Sequence, residues 1–246
     1  LAAVGSTTAL INVFTNLFIG ISLGANVLAA RFFATGRKEE MSETVHTSIT
    51  LALISGILMA FVGLVFSKGA LELMGTPEDV IGLSTLYMRI YFMGMPFFML
   101  YNYGAAILRA VGDTKRPLYF LIISAVINVF LDILFIVKIG MGVEGCAYAT
   151  VIAQAISAVC CLIYIIKKFP ILHLKKENFE VSFTSFRYLL ALGIPMGLQF
   201  SITAIGTIIV QGAVNIYGSV YMAGFSAAGK IQNIIATVFV AFGATM

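Results

Sequence analysis

"LYFLIISAVINVFLDILFIV", residues 118–137, is a run of twenty positions with a single formal charge, Asp132. At a rise of 1.5 Å per residue, a helix of this length spans about 30 Å, the thickness of a bilayer's hydrocarbon core. The composition agrees. The 246 residues are 60% hydrophobic and 11% charged, against roughly 25% charged in soluble domains, and the mean hydropathy is +1.02. Comparable apolar runs lie near 9–30, 48–66, 83–108, 145–166, 188–216 and 220–246. The fold class that follows is an all-α membrane protein, a polytopic bundle in which seven segments cross the bilayer.

The charges test that count independently. Connections alternate in basicity along the chain. The first holds Arg31, Arg37 and Lys38; the third Arg109, Lys115 and Arg116; the fifth Lys167, Lys168, Lys175, Lys176 and Arg187. Between them lie Lys68 with Glu72, Glu78 and Asp79, then Lys138 with Glu144, and an uncharged "NIYGSVY" at 215–221. Eleven of the fifteen Lys and Arg thus fall on one side, which the positive-inside rule assigns to the cytoplasm. A wrong number of segments would scramble the alternation. The expected location is the cell membrane, multi-pass, with the basic loops cytoplasmic.

The net charge of +4 comes from these loops, where it orients the chain and meets anionic lipid. It calls for no nucleic acid; the lipid bilayer is the expected partner. Cys146, Cys160 and Cys161 share one apolar segment and are expected to pack rather than pair or hold zinc.

Leu1 and Met246 both fall inside apolar helices, so a fragment of a longer protein is expected. The longest connection, "KKFPILHLKKENFEVSFTSFR" at 167–187, is basic and amphipathic and should lie along the membrane surface. It separates five helices from two. The expected division is an N-terminal lobe over 1–170, an inter-lobe connection over 171–187 and the start of a second lobe over 188–246. Sliding the chain on itself by 219 positions aligns Gly5 with Gly224, Ala9 with Ala228, and Gly24–Ala25 with Gly243–Ala244. Internal repeats of this kind build many secondary transporters, and the register implies two lobes of six helices each.

Within the apolar segments, Asp132 is the sharpest signal. An ionised Asp at a helix centre costs about 2.5–3.5 kcal/mol on insertion scales, and a partner, a cation or a proton must recover it. Asn128 lies four residues earlier, on the same helical face. Carboxylate and amide oxygens together suit a small hard cation. The competing reading is a structural Asp held by hydroxyls and backbone. Thr150 lies at a comparable depth in its own segment and could join the same site or simply pack. Asn102 counts to the opposite half of its helix, about two turns away, unless Pro96 bends the count.

Two Gly-x-Pro breaks, "GMPFF" at 94–98 and "GIPMG" at 193–197, place proline inside helices, as hinges or as ordinary kinks. Lys230 sits too deep for easy snorkelling and is expected to line a wet cavity or to pair with an acid elsewhere. Arg89 is near a helix end and snorkels. His46 and His173 are expected at the interface without partners. "GISLG" at 20–24 is a Gly-x-x-x-Gly, expected to make a close helix contact. No Ser/His/Asp trio, metal-ligand spacing or phosphate-cradling loop is found, so nothing points to an enzyme. No cofactor is expected.

The stretches "SLGANVLAARFFATGRKEE" (22–40), "ILRAVGDTKRPLYFLIISAVINVFLDILFI" (107–136), "GMGVEGCAYATVIAQ" (140–154) and "LGIPMGLQFS" (192–201) resemble the multidrug and toxic compound extrusion (MATE) transporters, in order along the chain. The resemblance implies helices two to eight of a twelve-helix, two-lobed antiporter that expels cationic drugs against inward sodium or protons. In the branch it is most similar to, an N-terminal-lobe cation site matches Asn128 and Asp132 on the fifth helix, Thr150 on the sixth and Asn102 on the fourth. An Asp on the first helix would precede Leu1. Another branch uses a Glu in the seventh helix, where this chain has "GLQFSITAIG" (197–206) and no carboxylate.

The expected function is therefore a monomeric antiporter of small amphiphilic cations. Sodium or protons would couple through Asp132, Asn128, Thr150 and Asn102. Lys230, Tyr101 and Met99 are expected to line the substrate path, with Met93 and Tyr103 beside them. The competing functions are a lipid-linked glycan flippase of the same superfamily and a membrane scaffold or receptor that transports nothing.

Overall fold

A computed structural model describes residues 2–73, 78–168 and 183–215, with 228, 229, 232, 235 and 236. Its helices are α1 Ala2–Ala34, α2 Lys38–Leu73, α3 Glu78–Met93, α4 Met95–Ala110, α5 Lys115–Asp132, α6 Val143–Lys168 and α7 Phe183–Asn215. Among the described residues, Phe14–Ala34, Lys38–Leu73, Lys115–Lys138 and Val143–Lys168 are each long and apolar enough to cross a membrane. The chain forms two compact units, Leu1–Ser201 and Ile202–Met246. The first holds every contact described below. Most of the expected seventh segment at 220–246 and most of the connection at 171–187, His173 included, lie outside the described residues.

Two of the apolar segments do not run as one continuous α-helix. The run at 83–108 breaks at Gly94 into α3 and α4. Gly94 (φ −78°, ψ −8°) caps α4, with Pro96 in the first turn. Its own N–H donates back to the Tyr91 carbonyl over 3.0 Å. Proline has no N–H to offer the carbonyl four residues earlier, so the α-helical ladder cannot run through this point. Hydropathy does not register such a break. The second change follows Asp132, where Ile133–Lys138 continues α5 as a wider π-helical turn, closed by Ile139 N–H to the Leu134 carbonyl at 3.1 Å. Turns of this kind recur at functional sites.

The core lies between α1, α2, α4 and α6, and glycines set its closest approaches. A side chain at Gly56 would lie 2.5 Å from the Pro96 Cα, and Gly63 gives up its side-chain space to the buried ring of Phe92. Gly104 faces Cys161 and Ile165 across the α4–α6 contact; Cys161 is fully buried there and packs as expected. The "GISLG" contact is present. A Cβ at Gly20 would come within 2.2 Å of the Gly197 Cα, and one at Gly24 within 2.7 Å of the Gly193 N, so α1 and α7 touch backbone to backbone through "GIPMG". Asn26 ties α1 to α4 by donating from Nδ2 to the Ala106 carbonyl, 3.0 Å away.

α5 is the outer helix. It buries Pro117 and Ser124, while Val126, Val129, Phe130, Ile133 and Val137 are exposed, as suits a face turned to lipid. Its remaining face lies on α6, and there the polar residues collect.

His46 has a partner, contrary to expectation: it is 1% exposed, and its Nδ1 lies 2.7 Å from the Ser42 carbonyl oxygen one turn back. The helix places it on the packed side of α2, and that carbonyl partners the ring in place of water.

Candidate cation site

α5 and α6 run antiparallel, and each carries a polar residue every fourth position on the face it turns to the other. On α5 these are Ser124, Asn128 and Asp132; on α6 they are Cys146, Thr150 and Gln154. A spacing of four returns to the same side of a helix, so the stripes meet as a ladder. Ser124 Oγ donates to the Ala153 carbonyl over 2.7 Å. One turn on, Asn128 Nδ2 donates to Thr150 Oγ1 at 3.4 Å. At the next turn, Cys146 of α6 stands beside Asp132 of α5. Tyr87, from α3, stands beside Cys146 and Asp132, and its ring stacks on Tyr91 with centroids 6.2 Å apart.

The direction of these bonds matters more than their number. Thr150 spends its hydroxyl proton on the Cys146 carbonyl, 3.0 Å away, and receives the Asn128 amide proton. The donors are thus turned into the protein and the oxygen lone pairs are left over. Asp132 Oδ1 is buried with no hydrogen-bond partner among the described residues. An acceptor left so in an apolar environment is costly unless something positive meets it. The donor set is hard oxygen from a carboxylate, an amide and a hydroxyl, which fits a small cation or a proton. Among the described residues, no three His, Cys, Asp or Glu side chains converge as a transition-metal site would require.

The structure brings Asp132, Asn128 and Thr150 together and keeps Asn102 apart. Gly94 faces Val151 and Gln154, whereas Gly104 faces Cys161 and Ile165, so α4 and α6 run side by side in the same direction. In that register Asn102 lies about 15 Å along the axis from Thr150, nearly three turns, toward the Arg109 end. Its amide donates to the Phe98 carbonyl of its own helix over 2.8 Å. Depth counting likewise put Asn102 on the opposite half of its helix.

The residues expected along a substrate path are dispersed. Met99 and Tyr103 are fully buried in the core, and Met93 is exposed. Tyr101 donates its hydroxyl to the Pro117 carbonyl at 2.8 Å, fastening α4 to the start of α5. Lys230 lies outside the described residues. Sequence reasoning passed over Ser124, Cys146, Tyr87 and Gln154 as members of the ladder. Their signal was available in the matching four-residue spacing of 124, 128, 132 and 146, 150, 154.

Comparison with known proteins adds three findings. The family model described as MatE matches residues 1–134. Two Bacillus subtilis (strain 168) proteins, "Probable multidrug resistance protein YoeA" and "Probable multidrug resistance protein YpnP", are each 32% identical over 98% of this chain and 54% of their own length. The solved structure "Inward-facing conformation of a multidrug resistance MATE family transporter of the MOP superfamily" superposes with a TM-score of 0.87 at 24% identity, over 95% of this chain and 54% of that one. The chain thus spans about half the length of the curated relatives it matches.

Proposed function

From the premise that the chain belongs to the MatE family, we propose that it is part of a secondary multidrug exporter. That exporter drives amphiphilic organic cations outward in exchange for inward sodium or protons. Its basic connections would face the cytoplasm of a cell membrane. The observation that carries the coupling role is the partnerless, buried Asp132 Oδ1.

In this reading the coupling ion enters at Asp132 and is held with Asn128 and Thr150. A ligand shifts a conformational equilibrium only by its differential affinity for the two states. A buried carboxylate supplies that difference, because leaving it empty is costly and filling it removes the cost. Asn102 would join only in a conformation that changes the register of α4, and the Gly94 break offers the place for such a change. Substrate lining by Met99 and Tyr101 likewise requires α4 to part from its neighbours, since one is buried and the other is tied to Pro117. Lys230 is proposed for the same cavity. A glycan flippase gains no support from relatives named for drug resistance.

The test is dye efflux from the full-length protein in an efflux-deficient host. Asp132→Asn should reach the membrane at wild-type abundance and lose resistance. Wild-type resistance in that variant would remove Asp132 from the coupling mechanism.

A further inference from the structure

One end of the α5–α6 pair holds positive charge that the described residues do not balance. Lys115 and Arg116 open α5, and Lys167 and Lys168 close α6. The helices are antiparallel, with Ser124 bonded to Ala153, so position 113 stands level with 164. In that register the four cations lie within about 10 Å of one another along the axis. All four are exposed. Among the described residues, ion pairs join Arg37 to Glu40 and Lys68 to Glu72; these four make none. Two cations in the first turn of α5, with no acid there, also work against the helix dipole.

The acid in the adjoining loop is committed elsewhere. Asp113 Oδ2 accepts from the Tyr164 hydroxyl over 2.9 Å, and Oδ1 accepts from the Arg116 backbone N–H over 3.2 Å. Asp113 therefore fixes the Tyr164 ring and leaves the guanidinium alone. Phe120 meets that ring edge-on, with centroids 5.7 Å apart. Arg116 lies over the ring, 5.4 Å from its centroid, and its fork of N–H donors makes no hydrogen bond among the described residues. A guanidinium held on an aromatic face is arranged in advance for two parallel bonds to an oxyanion.

Depth narrows the choice of anion. Arg116 stands two residues before Leu118, where the uninterrupted apolar run begins, which is the level of lipid phosphates. Three and seven residues further on, along the same side of α5, Tyr119 and Ile123 are 51% and 49% exposed. Cations above and an apolar strip directly below match a molecule with an anionic head and acyl chains. A soluble phosphate would use only the upper half.

We propose that Lys115, Arg116, Lys167 and Lys168 form a headgroup site for one anionic phospholipid, whose chains lie along Tyr119 and Ile123. Arg116 grips the phosphodiester on the Tyr164 platform, and the three lysines supply the surrounding field. Tyr164 is a positioning residue that acts through Arg116. The site lies at the opposite end of the α5–α6 contact from Asp132 and is independent of the coupling reading.

The experiment uses the purified full-length protein in neutral detergent. Its melting temperature is followed as phosphatidylglycerol or phosphatidylcholine is added to the micelles, and separately with glycerol 3-phosphate in solution. Wild type should gain stability with phosphatidylglycerol, saturably, and gain little from the other two. Arg116→Gln should raise the half-saturating mole fraction about fivefold, which corresponds to about 1 kcal/mol for one cation at the membrane surface. Arg116→Lys keeps the charge without the fork and should raise it about twofold. The double variant Lys167→Gln/Lys168→Gln should raise it more than tenfold. Lys68→Gln, away from this cluster, should leave it unchanged. An equal gain from phosphatidylcholine or from glycerol 3-phosphate overturns the proposal. So does a Lys68→Gln shift as large as that of Arg116→Gln, which would mean diffuse charge rather than a site. If Arg116→Gln does not fold, the double lysine variant decides, and half-saturation within twofold of wild type overturns the site.

Discussion

Asn128 and Thr150 meet across the α5–α6 contact with Nδ2 3.4 Å from Oγ1, and the Thr150 hydroxyl donates onward to the Cys146 carbonyl. The amide proton is taken up by the protein, which leaves the Asn128 carbonyl oxygen available beside Asp132. Hydrogen bonds of this kind inside membranes contribute only about 0.6 kcal/mol on average. The pair is therefore a weak fastener for the helices but a firm guide for the amide.

Thr150→Val and Thr150→Ser separate those roles. Valine keeps the shape and removes the acceptor, so the Asn128 amide is free to rotate. Thermal stability of the purified protein should change little, by about 1 kcal/mol or less, while ion-driven dye efflux falls severalfold. Serine restores the hydroxyl and should restore efflux. A valine variant with full efflux would show that the pair only packs.

The glycine seam predicts the opposite balance. At Gly20 a methyl would lie 2.2 Å from the backbone Cα of Gly197, and backbone cannot turn aside as a side chain can. Gly20→Ala should lower stability by about 1–3 kcal/mol. Gly69, on α2, has open space around it, so Gly69→Ala should be neutral or gain about 0.5–1 kcal/mol from the better helix former. Thermal melts of both variants in detergent check the pair. Equal melting temperatures would mean α1 and α7 do not touch as described.

Much of this was readable before any coordinates. The apolar runs and alternating basic loops lead to the membrane bundle, because both follow from solvation alone. Asp132, Asn128 and Thr150 stood out because polar atoms in hydrocarbon need a reason. Gly94 was quoted as part of a kink, but no hydropathy window separates a bent helix from two helices, and the break depends on which carbonyl loses its donor. The partner of His46 was missed because position along a helix says nothing about which face is packed. Asn102 shows the limit from the other side: a family pattern placed it with Asp132, whereas the register of α4 on α6 holds it nearly three turns from Thr150.

The short loop between α4 and α5 offers a prediction away from the ladder. Asp113 accepts a hydrogen bond from the Tyr164 hydroxyl of α6 at 2.9 Å and another from the Arg116 N–H at 3.2 Å. The Arg116 guanidinium lies over the Tyr164 ring, 5.4 Å from its centroid. Gly112, at φ +86°, turns the chain so that Asp113 can reach. Tyr164→Phe keeps the ring contact and removes one hydrogen bond to a charged group, a cost of about 1.5–3 kcal/mol where it is shielded from water and less where it is not. Asp113→Ala removes both bonds and should cost more. The check is limited proteolysis at the Arg109–Lys115–Arg116 cluster, with trypsin cutting faster in the order wild type, Tyr164→Phe, Asp113→Ala.

The break at Gly94 carries the remaining prediction. Two separate features maintain it, and they fail differently. Pro96→Ala returns an N–H opposite the Phe92 carbonyl and lets the helical ladder run on toward α3; packing against Gly56 loses only the ring. The variant should be as stable as wild type or more so, yet slower in dye efflux, because a straightened helix resists the bend that the transport cycle needs. Gly94→Ala instead places a methyl 2.7 Å from Val151 Cγ2 and 3.2 Å from Gln154 Oε1, pushing α4 off α6 where the ladder ends. It should cost about 1–3 kcal/mol of stability and slow efflux as well. Val151→Ala opens space for that methyl, so the double variant should regain most of the stability. Melting temperature and initial efflux rate, measured on all four proteins, distinguish a working bend from a packing defect. If Pro96→Ala transports at the wild-type rate, the break is only a kink.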